Sequence, residues 1–179
     1  MNSIIIRYAN AADAGLIADL SRQTFYDTFA AVNTKEDMVL FMNKQFTREA
    51  LIKEVEEGDG IFLLALEGEE AVGYARLREG EQHSEFNNES SIEIARLYAL
   101  QSYIGKGIGK ELMQECIRIA RDMNRSIIWL GVWEKNGLAI RFYNKWGFEK
   151  FAEHDFILGT DVQRDCLMSK KIKLNNQNK

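Results

Sequence analysis

Residues 92–109 constrain the fold more than any other stretch of this chain. Ile92 to Leu100 is an apolar, strand-like run, and Gly105-Lys106-Gly107-Ile108-Gly109 follows shortly after it. From Ile108 onward, Leu112, Cys116, Ala120 and Met123 recur at helical spacing, which predicts one long amphipathic helix. The glycines therefore sit at a strand-to-helix turn. Glycine lets successive N–H groups converge with no Cβ in the way. The first turn of a helix adds unpaired N–H groups and the positive end of the dipole. With Lys106 and Lys110 nearby, the turn suits a phosphate or pyrophosphate. A plain turn with glycines for packing is the alternative. The pattern is neither the dinucleotide G-x-G-x-x-G nor the P-loop G-x-x-x-x-G-K-[ST].

The same alternation of strand and helix runs through the whole chain. Ile4 to Tyr8 reads as a short strand, and Asn10 with Asp13 as the N-cap of a helix reaching about Ala30. Thr34 and Thr47 can cap two further helices, the second ending at Gly58. Ile61–Leu66 and Ala71–Arg78 read as a hairpin around Glu67-Gly68-Glu69-Glu70, and Gly80–Ser90 as a polar loop. After the long helix come a strand over Ser126–Val132 and a short helix carrying Leu138, Phe142 and Trp146, which Gly147 ends. Strands near Lys150–Leu158 and Gln163–Lys171 turn around Gly159-Thr160-Asp161. No repeat or internal boundary is visible, so residues 1–174 read as a single domain and 175–179 as a disordered polar tail.

Composition narrows the function. The 179 residues carry 23 Lys+Arg against 27 Asp+Glu, a net charge of −4, which argues against a nucleic-acid binder. Cys116 and Cys166 are too few for a disulfide framework and read as small core residues. There is no signal-like start and no run of roughly 20 apolar residues, so a cytoplasmic protein away from membranes is expected. Charge is uneven. Glu54 to Glu93 holds twelve acidic and two basic residues, and Ile94 to Lys150 ten basic and five acidic. Either these are solvated faces, or they are two half-sites, one for a cation and one for an anion.

Downstream of the glycine turn lies Asn136-Gly137-Leu138-Ala139-Ile140-Arg141-Phe142-Tyr143-Asn144-Lys145-Trp146-Gly147-Phe148. This N-x-x-A-x-x-F-Y-x-x-x-G-F pattern after a strand, paired with the strand–glycine–helix unit, resembles the GNAT family of acyl-CoA-dependent N-acetyltransferases. The resemblance spans nearly the whole chain. It implies an α/β (α+β) fold: one mixed, mostly antiparallel sheet of about six or seven strands, flanked by about four or five helices and splayed between its fourth and fifth strands. Acetyl-CoA would lie in that splay as cosubstrate. The backbone of Leu97, Tyr98 and Ala99 would meet the pantetheine, and Gly105, Lys106, Gly107, Ile108, Gly109 and Lys110 the pyrophosphate. Asn136 and Lys145 complete the implied cosubstrate set, and Asn136 and Tyr143 would lie near the thioester. One departure stands out: Ile104 occupies the position where the family usually has Gln or Arg, so a side-chain contribution to the phosphates is lost there.

Gln23–Phe29, Ser91–Tyr98 and Ile128–Asn136 narrow the likeness to the bacterial PaiA-type polyamine acetyltransferases. That implies spermidine or spermine as acceptor, in agreement with the acidic Glu54–Glu93 stretch, which would attract a polycation. Other readings are acetylation of another small amine or of a protein N-terminal amine, or an acyl-CoA-binding module without turnover. The partner expected is a small cationic amine, with the protein a monomer or homodimer.

Aminolysis of a thioester needs a neutral amine, a stabilised oxyanion and a protonated leaving thiolate. Glu93 is the candidate base; its alternative is an ordinary strand acid in a salt bridge. Backbone N–H groups around Leu97–Ala99 could hold the oxyanion. Tyr143 is the candidate acid, uphill of a thiol by roughly 2 kcal/mol in water; its alternative is packing beside Phe142. No metal is expected, since His83 and His154 have no second ligand at metal spacing. His83 is expected in solvent, His154 could face the acceptor, and Trp129, Trp133 and Trp146 read as core. No G-x-S-x-G elbow occurs, which argues against a serine hydrolase.

Overall fold

A computed structural model describes residues 3–58 and 60–174. The expected tail, 175–179, lies outside the described residues.

Local signals set the first elements. After β1 (Ile4–Tyr8), the Ala12 N–H donates to Asn10 Oδ1 and the Asn10 N–H to Asp13 Oδ2, both at 2.9 Å. Arg7 fixes this capping box by donating to both Asp13 oxygens, at 2.8 and 2.7 Å. The first turn (Ala11–Asp13) is 3₁₀, and α1 (Ala14–Phe29) continues from it. Thr34 caps α2 (Lys35–Lys44) through the Asp37 N–H, and Thr47 caps α3 (Arg48–Glu56) through the Ala50 N–H. Such caps are each worth about 1 kcal/mol.

Next come β2 (Ile61–Glu67), β3 (Glu70–Arg78), β4 (Ser91–Ala99) and α4 (Ile108–Asp122). The chain continues with β5 (Ile127–Trp133), α5 (Gly137–Lys145), β6 (Glu149–Leu158) and β7 (Asp161–Lys171). Strand order is β1-β2-β3-β4-β5-β7-β6, a seven-stranded mixed sheet. Every pair is antiparallel except β4 and β5, which run parallel. That pair shares only three register positions: Ser91↔Ile127, Ile92↔Ile128 and Glu93↔Trp129. Beyond Glu93 each strand keeps only its outer neighbour, and the sheet opens into a V. A register shift between Arg76 and Leu77, opposite Arg96 and Ile94, bends β4 as it leaves.

α4 and α5 cover one face. Ile108, Leu112, Met113, Cys116, Ile119 and Ala120 of α4 pack on Ile92, Ile94, Leu130 and Val132, with Tyr143 in the same cluster. α1, α2 and α3 cover the other face, where Phe25 stacks on Phe41 at 4.7 Å and touches Phe46 at 5.0 Å. Asp37 clasps this layer to the sheet: its Oδ1 accepts the Thr160 N–H at 2.7 Å and the Thr160 hydroxyl at 2.8 Å. Among the described residues no helix is long and apolar enough to cross a membrane.

Three side chains depart from what the sequence predicts. Met123 is 38% exposed, because α4 ends at Asp122 and Asn124 turns the chain with φ 55°; Ile119 takes its place in the core. Leu138 is 61% exposed, since the buried stripe of α5 runs through Tyr143. His83 is not in solvent: its ring meets Trp129 edge-on at 4.5 Å, with Phe86 and Phe151 at 5.2 Å each. The polar loop carrying it contains a 3₁₀ turn (Ser84–Phe86) whose buried Phe86 pulls it onto the sheet.

Candidate active site

The open edge of β4 is the centre of the site. Leu97, Tyr98 and Ala99 pair with Ala75, Tyr74 and Gly73 of β3 on one side only. In an antiparallel ladder alternate residues point their peptide groups away from the partner, so alternate groups of this stretch face the V. The Leu97 and Ala99 side chains join the α4 core, while the Tyr98 ring stacks on Tyr74 at 6.0 Å. Gly73 brings the start of α4 close: a Cβ there would lie 2.7 Å from Ile108 Cγ2 and 2.8 Å from the Tyr98 carbonyl oxygen.

The glycine turn has the backbone its sequence demands. Gly105 and Gly107 have φ of 83° and 94°, and Gly107 is the N-cap of α4. A Cβ at either would meet nothing within 4 Å, so the space above the helix N-terminus is open. Ile108 is buried, whereas Lys106 and Lys110 are exposed, with the Lys106 ammonium 4.7 Å from the Tyr103 ring centre. Tyr103 anchors the turn by bonding through its hydroxyl to Glu67 at 2.9 Å and Glu70 at 3.1 Å, and these carboxylates push its pKa up to about 12. Ile104 projects outward, 56% exposed. Gly109 faces the Phe142 ring, 3.5 Å from where its Cβ would be, which couples the turn to α5.

On α5, Asn136 is the N-cap: its Oδ1 accepts the Ala139 N–H at 3.1 Å. Lys145 is exposed in the last turn. Tyr143 is buried between Phe142 and Phe148, with ring centres at 5.4 and 6.0 Å. Burial and the nearby Cys116 thiol raise its pKa, and no hydrogen bond from a described residue opposes them.

Glu93 sits where the V begins. Arg78 donates to both its oxygens, at 2.6 and 3.2 Å, and the side chain is only 10% exposed. The ion pair that the sequence left open is present. Gly80 packs against it, since a Cβ there would come within 2.9 Å of Glu93 and 2.5 Å of Trp129.

The acidic stretch does not form one surface. Glu54 joins Arg76 at 2.9 Å and Arg96 at 2.7 Å, Glu79 pairs with Arg125, and Glu89 with Lys171. Strand pairing and the layer of α3 distribute these carboxylates to separate cations, which favours the first of the two readings of the Glu54–Glu93 stretch, solvated faces, over a single acidic half-site.

Acidic groups gather instead at the far end of β5. A cavity of about 330 Å³ there is lined by Trp133, by the acids Glu134, Asp155 and Asp161 and by the cations Lys135 and Arg164. Beside it, Asp165 lies opposite both Trp133 of β5 and His154 of β6. Its Oδ2 is 3.6 Å from His154 Nε2. Both groups rim Gly131, an exposed glycine on the diverging part of β5. Burial and the neighbouring Tyr74 push the Tyr98 phenol pKa up, with smaller contributions from Tyr143 and Asp165. Sequence reasoning missed Asp165, because only the register of two antiparallel ladders brings it here. Among the described residues no group of His, Cys, Asp and Glu is arranged to hold a metal ion.

The profile of the acetyltransferase (GNAT) family matches residues 22–148. The chain belongs to this family. Among its relatives, an uncharacterized N-acetyltransferase from the pepI 3′ region of Lactobacillus delbrueckii subsp. lactis is 35% identical over 96% of this chain and 99% of its own length. The spermidine N(1)-acetyltransferase of Thermoplasma acidophilum is 26% identical over 87% of this chain and 96% of its own. The crystal structure of PaiA N-acetyltransferase from the same organism, in complex with coenzyme A, superposes with a TM-score of 0.74 at 25% identity. It covers 94% of this chain and 99% of that one. Within this GNAT acetyltransferase the matched residues include β4, the glycine turn and α5.

Proposed function

We propose that the protein transfers the acetyl group of acetyl-CoA to a primary amine of a small polycation such as spermidine. The observation that carries this reading is the V between β4 and β5, with the glycine turn on one side and a carboxylate-bearing cavity on the other. The likeness to a spermidine N(1)-acetyltransferase over most of both chains supports the acceptor class.

In this reading the N–H groups at Gly105, Gly107, Ile108 and Gly109 hold the pyrophosphate, and Lys106 and Lys110 add charge to it. Open space and left-handed backbone at Gly105 and Gly107 fit that group. The turn binds through backbone, so Ile104 does not disable it. Leu97, Tyr98 and Ala99 offer peptide groups to the pantetheine and the acyl oxygen. Asn136 shapes the α5 start beside them, and Lys145 lies at its far end.

Tyr143 protonates the departing sulfur. Burial raises its pKa, which by itself makes it a weaker acid. The same apolar surroundings raise the Cys116 thiol, so a thiolate released here is a stronger base as well. The gap between donor and acceptor therefore need not widen. Glu93 is a weaker candidate for the base, since the Arg78 guanidinium occupies both its oxygens.

The test is thiol release from acetyl-CoA with spermidine, spermine, a monoamine and a peptide with a free N-terminus. Turnover highest with spermidine or spermine is expected. Turnover with the peptide alone would reject the polyamine class, and thiol release with none of them would reject acetyl transfer to these amines.

A further inference from the structure

We infer that Asp165 receives the acceptor's ammonium group and its proton, and that His154 carries this proton to solvent. The inference rests on the amine-acetylation reading above and adds to it a residue for each of these two tasks.

Three observations converge. Gly131 leaves a hollow on β5 where the strand has parted from β4; the place its Cβ would occupy is 3.5 Å from Asp165 Oδ2 and 3.8 Å from His154 Nε2. A side chain there would fill the hollow, so a glycine leaves room for a small group against the carboxylate. Next, Asp165 is 17% exposed and His154 52%, with 3.6 Å between carboxylate and imidazole. An enclosed carboxylate is thus linked to water by a group suited to passing protons. Finally, three of the other candidate carboxylates already carry cations: Glu93 has Arg78, Glu54 has Arg76 and Arg96, and Asp155 has Arg164. Among the described residues His154 is the one group that forms an ion pair with Asp165.

The surroundings suit a proton acceptor. Burial raises the Asp165 carboxyl above the usual carboxylate range, and His154 opposes this. From β4 the Tyr98 phenol is close enough to feel its charge. β5 presents Gly131 and Trp133, which do not titrate. Arg164 and Glu153, the sequence neighbours of the pair, join each other at 3.2 Å and project to the opposite side of the sheet.

The proton balance closes. The ammonium loses one proton to the Asp165 carboxylate, leaving a neutral amine and a carboxylic acid. The acid passes that proton to His154 Nε2, and water removes it from the imidazolium. The amine nitrogen bonds to the acyl carbon of the thioester as the C–S bond breaks. The nitrogen gives up a second proton, and the sulfur takes one from Tyr143, whose hydroxyl the second proton restores.

The experiment compares wild type with Asp165→Asn, Asp165→Glu and His154→Gln. It measures kcat and kcat/KM against pH, acetyl-CoA affinity by calorimetry, and spermidine affinity with CoA present. Asp165→Asn should lower kcat by about 10²-fold or more and weaken spermidine about tenfold, with acetyl-CoA affinity unchanged. Asp165→Glu keeps a carboxylate and should recover part of the rate. His154→Gln removes the group that lowers the Asp165 carboxyl, so the acidic limb of kcat/KM should move to higher pH. Wild-type kcat and pH profile in Asp165→Asn would overturn the inference while leaving the acetyltransferase reading intact. So would loss of acetyl-CoA affinity in both Asp165 variants, which would make the role structural. A wild type that binds acetyl-CoA and acetylates no amine would overturn the reading and the inference together.

Discussion

Arg78 grips both carboxylate oxygens of Glu93, at 2.6 and 3.2 Å, at the last position where β4 and β5 still pair. The pair closes the narrow end of the V and commits the acid that sequence reasoning selects as base. Glu93→Gln should therefore cost stability, about 1–3 kcal/mol for a lost charged hydrogen bond, and leave kcat within about threefold of wild type. Denaturant midpoints and steady-state kinetics check this. A fall of about 10²-fold, the scale of a lost general base, with stability unchanged would restore Glu93 to the chemistry.

Gly107 holds φ at 94° as the N-cap of α4, a conformation that a β-branched residue resists. Gly107→Val should raise the acetyl-CoA Kd about tenfold or more, while circular dichroism reports an intact fold. Gly109 differs, because its Cβ would make only an ordinary 3.5 Å contact with Phe142; Gly109→Ala should fold normally. Unchanged acetyl-CoA affinity in a folded Gly107→Val protein would take the turn out of the site.

Tyr143→Phe removes the one hydroxyl that the buried stripe of α5 presents beside Cys116. The ring still packs between Phe142 and Phe148, so stability should change little. The expected result is a kcat lower by about 10²–10⁴-fold with acetyl-CoA affinity unchanged. A kcat within about twofold of wild type would leave Tyr143 as packing.

Glu54 is shared by two arginines, one of them, Arg76, almost wholly buried. Glu54→Gln withdraws the charge that both guanidinium groups use, and breaking a buried pair in this way costs about 3–5 kcal/mol. Thermal unfolding should show a much lower Tm. A Tm near wild type would mean that the network contributes little.

Glu134, Asp155 and Asp161 line the cavity beside Trp133. Attraction of a polycation to them should be screened, as the Debye length falls from about 10 Å at 0.1 M to about 3 Å at 1 M salt. With acetyl-CoA kept saturating, KM for spermidine should rise clearly with salt, and KM for a monoamine less. Asp155→Asn combined with Asp161→Asn should flatten the spermidine response; an unaltered salt slope would place the polyamine elsewhere.

The caps at Asn10, Thr34 and Thr47, the turns at Gly105 and Gly107 and the apolar period of α4 were all readable in the chain itself. Each depends on residues within about four positions, the range over which helix capping, glycine conformation and periodicity act. The two paired motifs also led to the family and to the splay. Met123 and Leu138 misled because periodicity does not say where a helix stops or which of two apolar stripes turns inward. The sequence could not say which charges meet. The acidic run from Glu54 to Glu93 looks like one surface along the chain, yet α3, β3 and β4 hand Glu54 to Arg76 and Arg96, and Glu93 to Arg78. His83 and Phe86 sit in a polar segment, but the loop folds back onto Trp129. Asp165 and His154 face Gly131 only because the β5–β7 and β6–β7 ladders take the register they do. Backbone conformation is a local property that the sequence determines by itself; the partners of each ionisable side chain are set by strand register and layer packing, which only the tertiary structure decides.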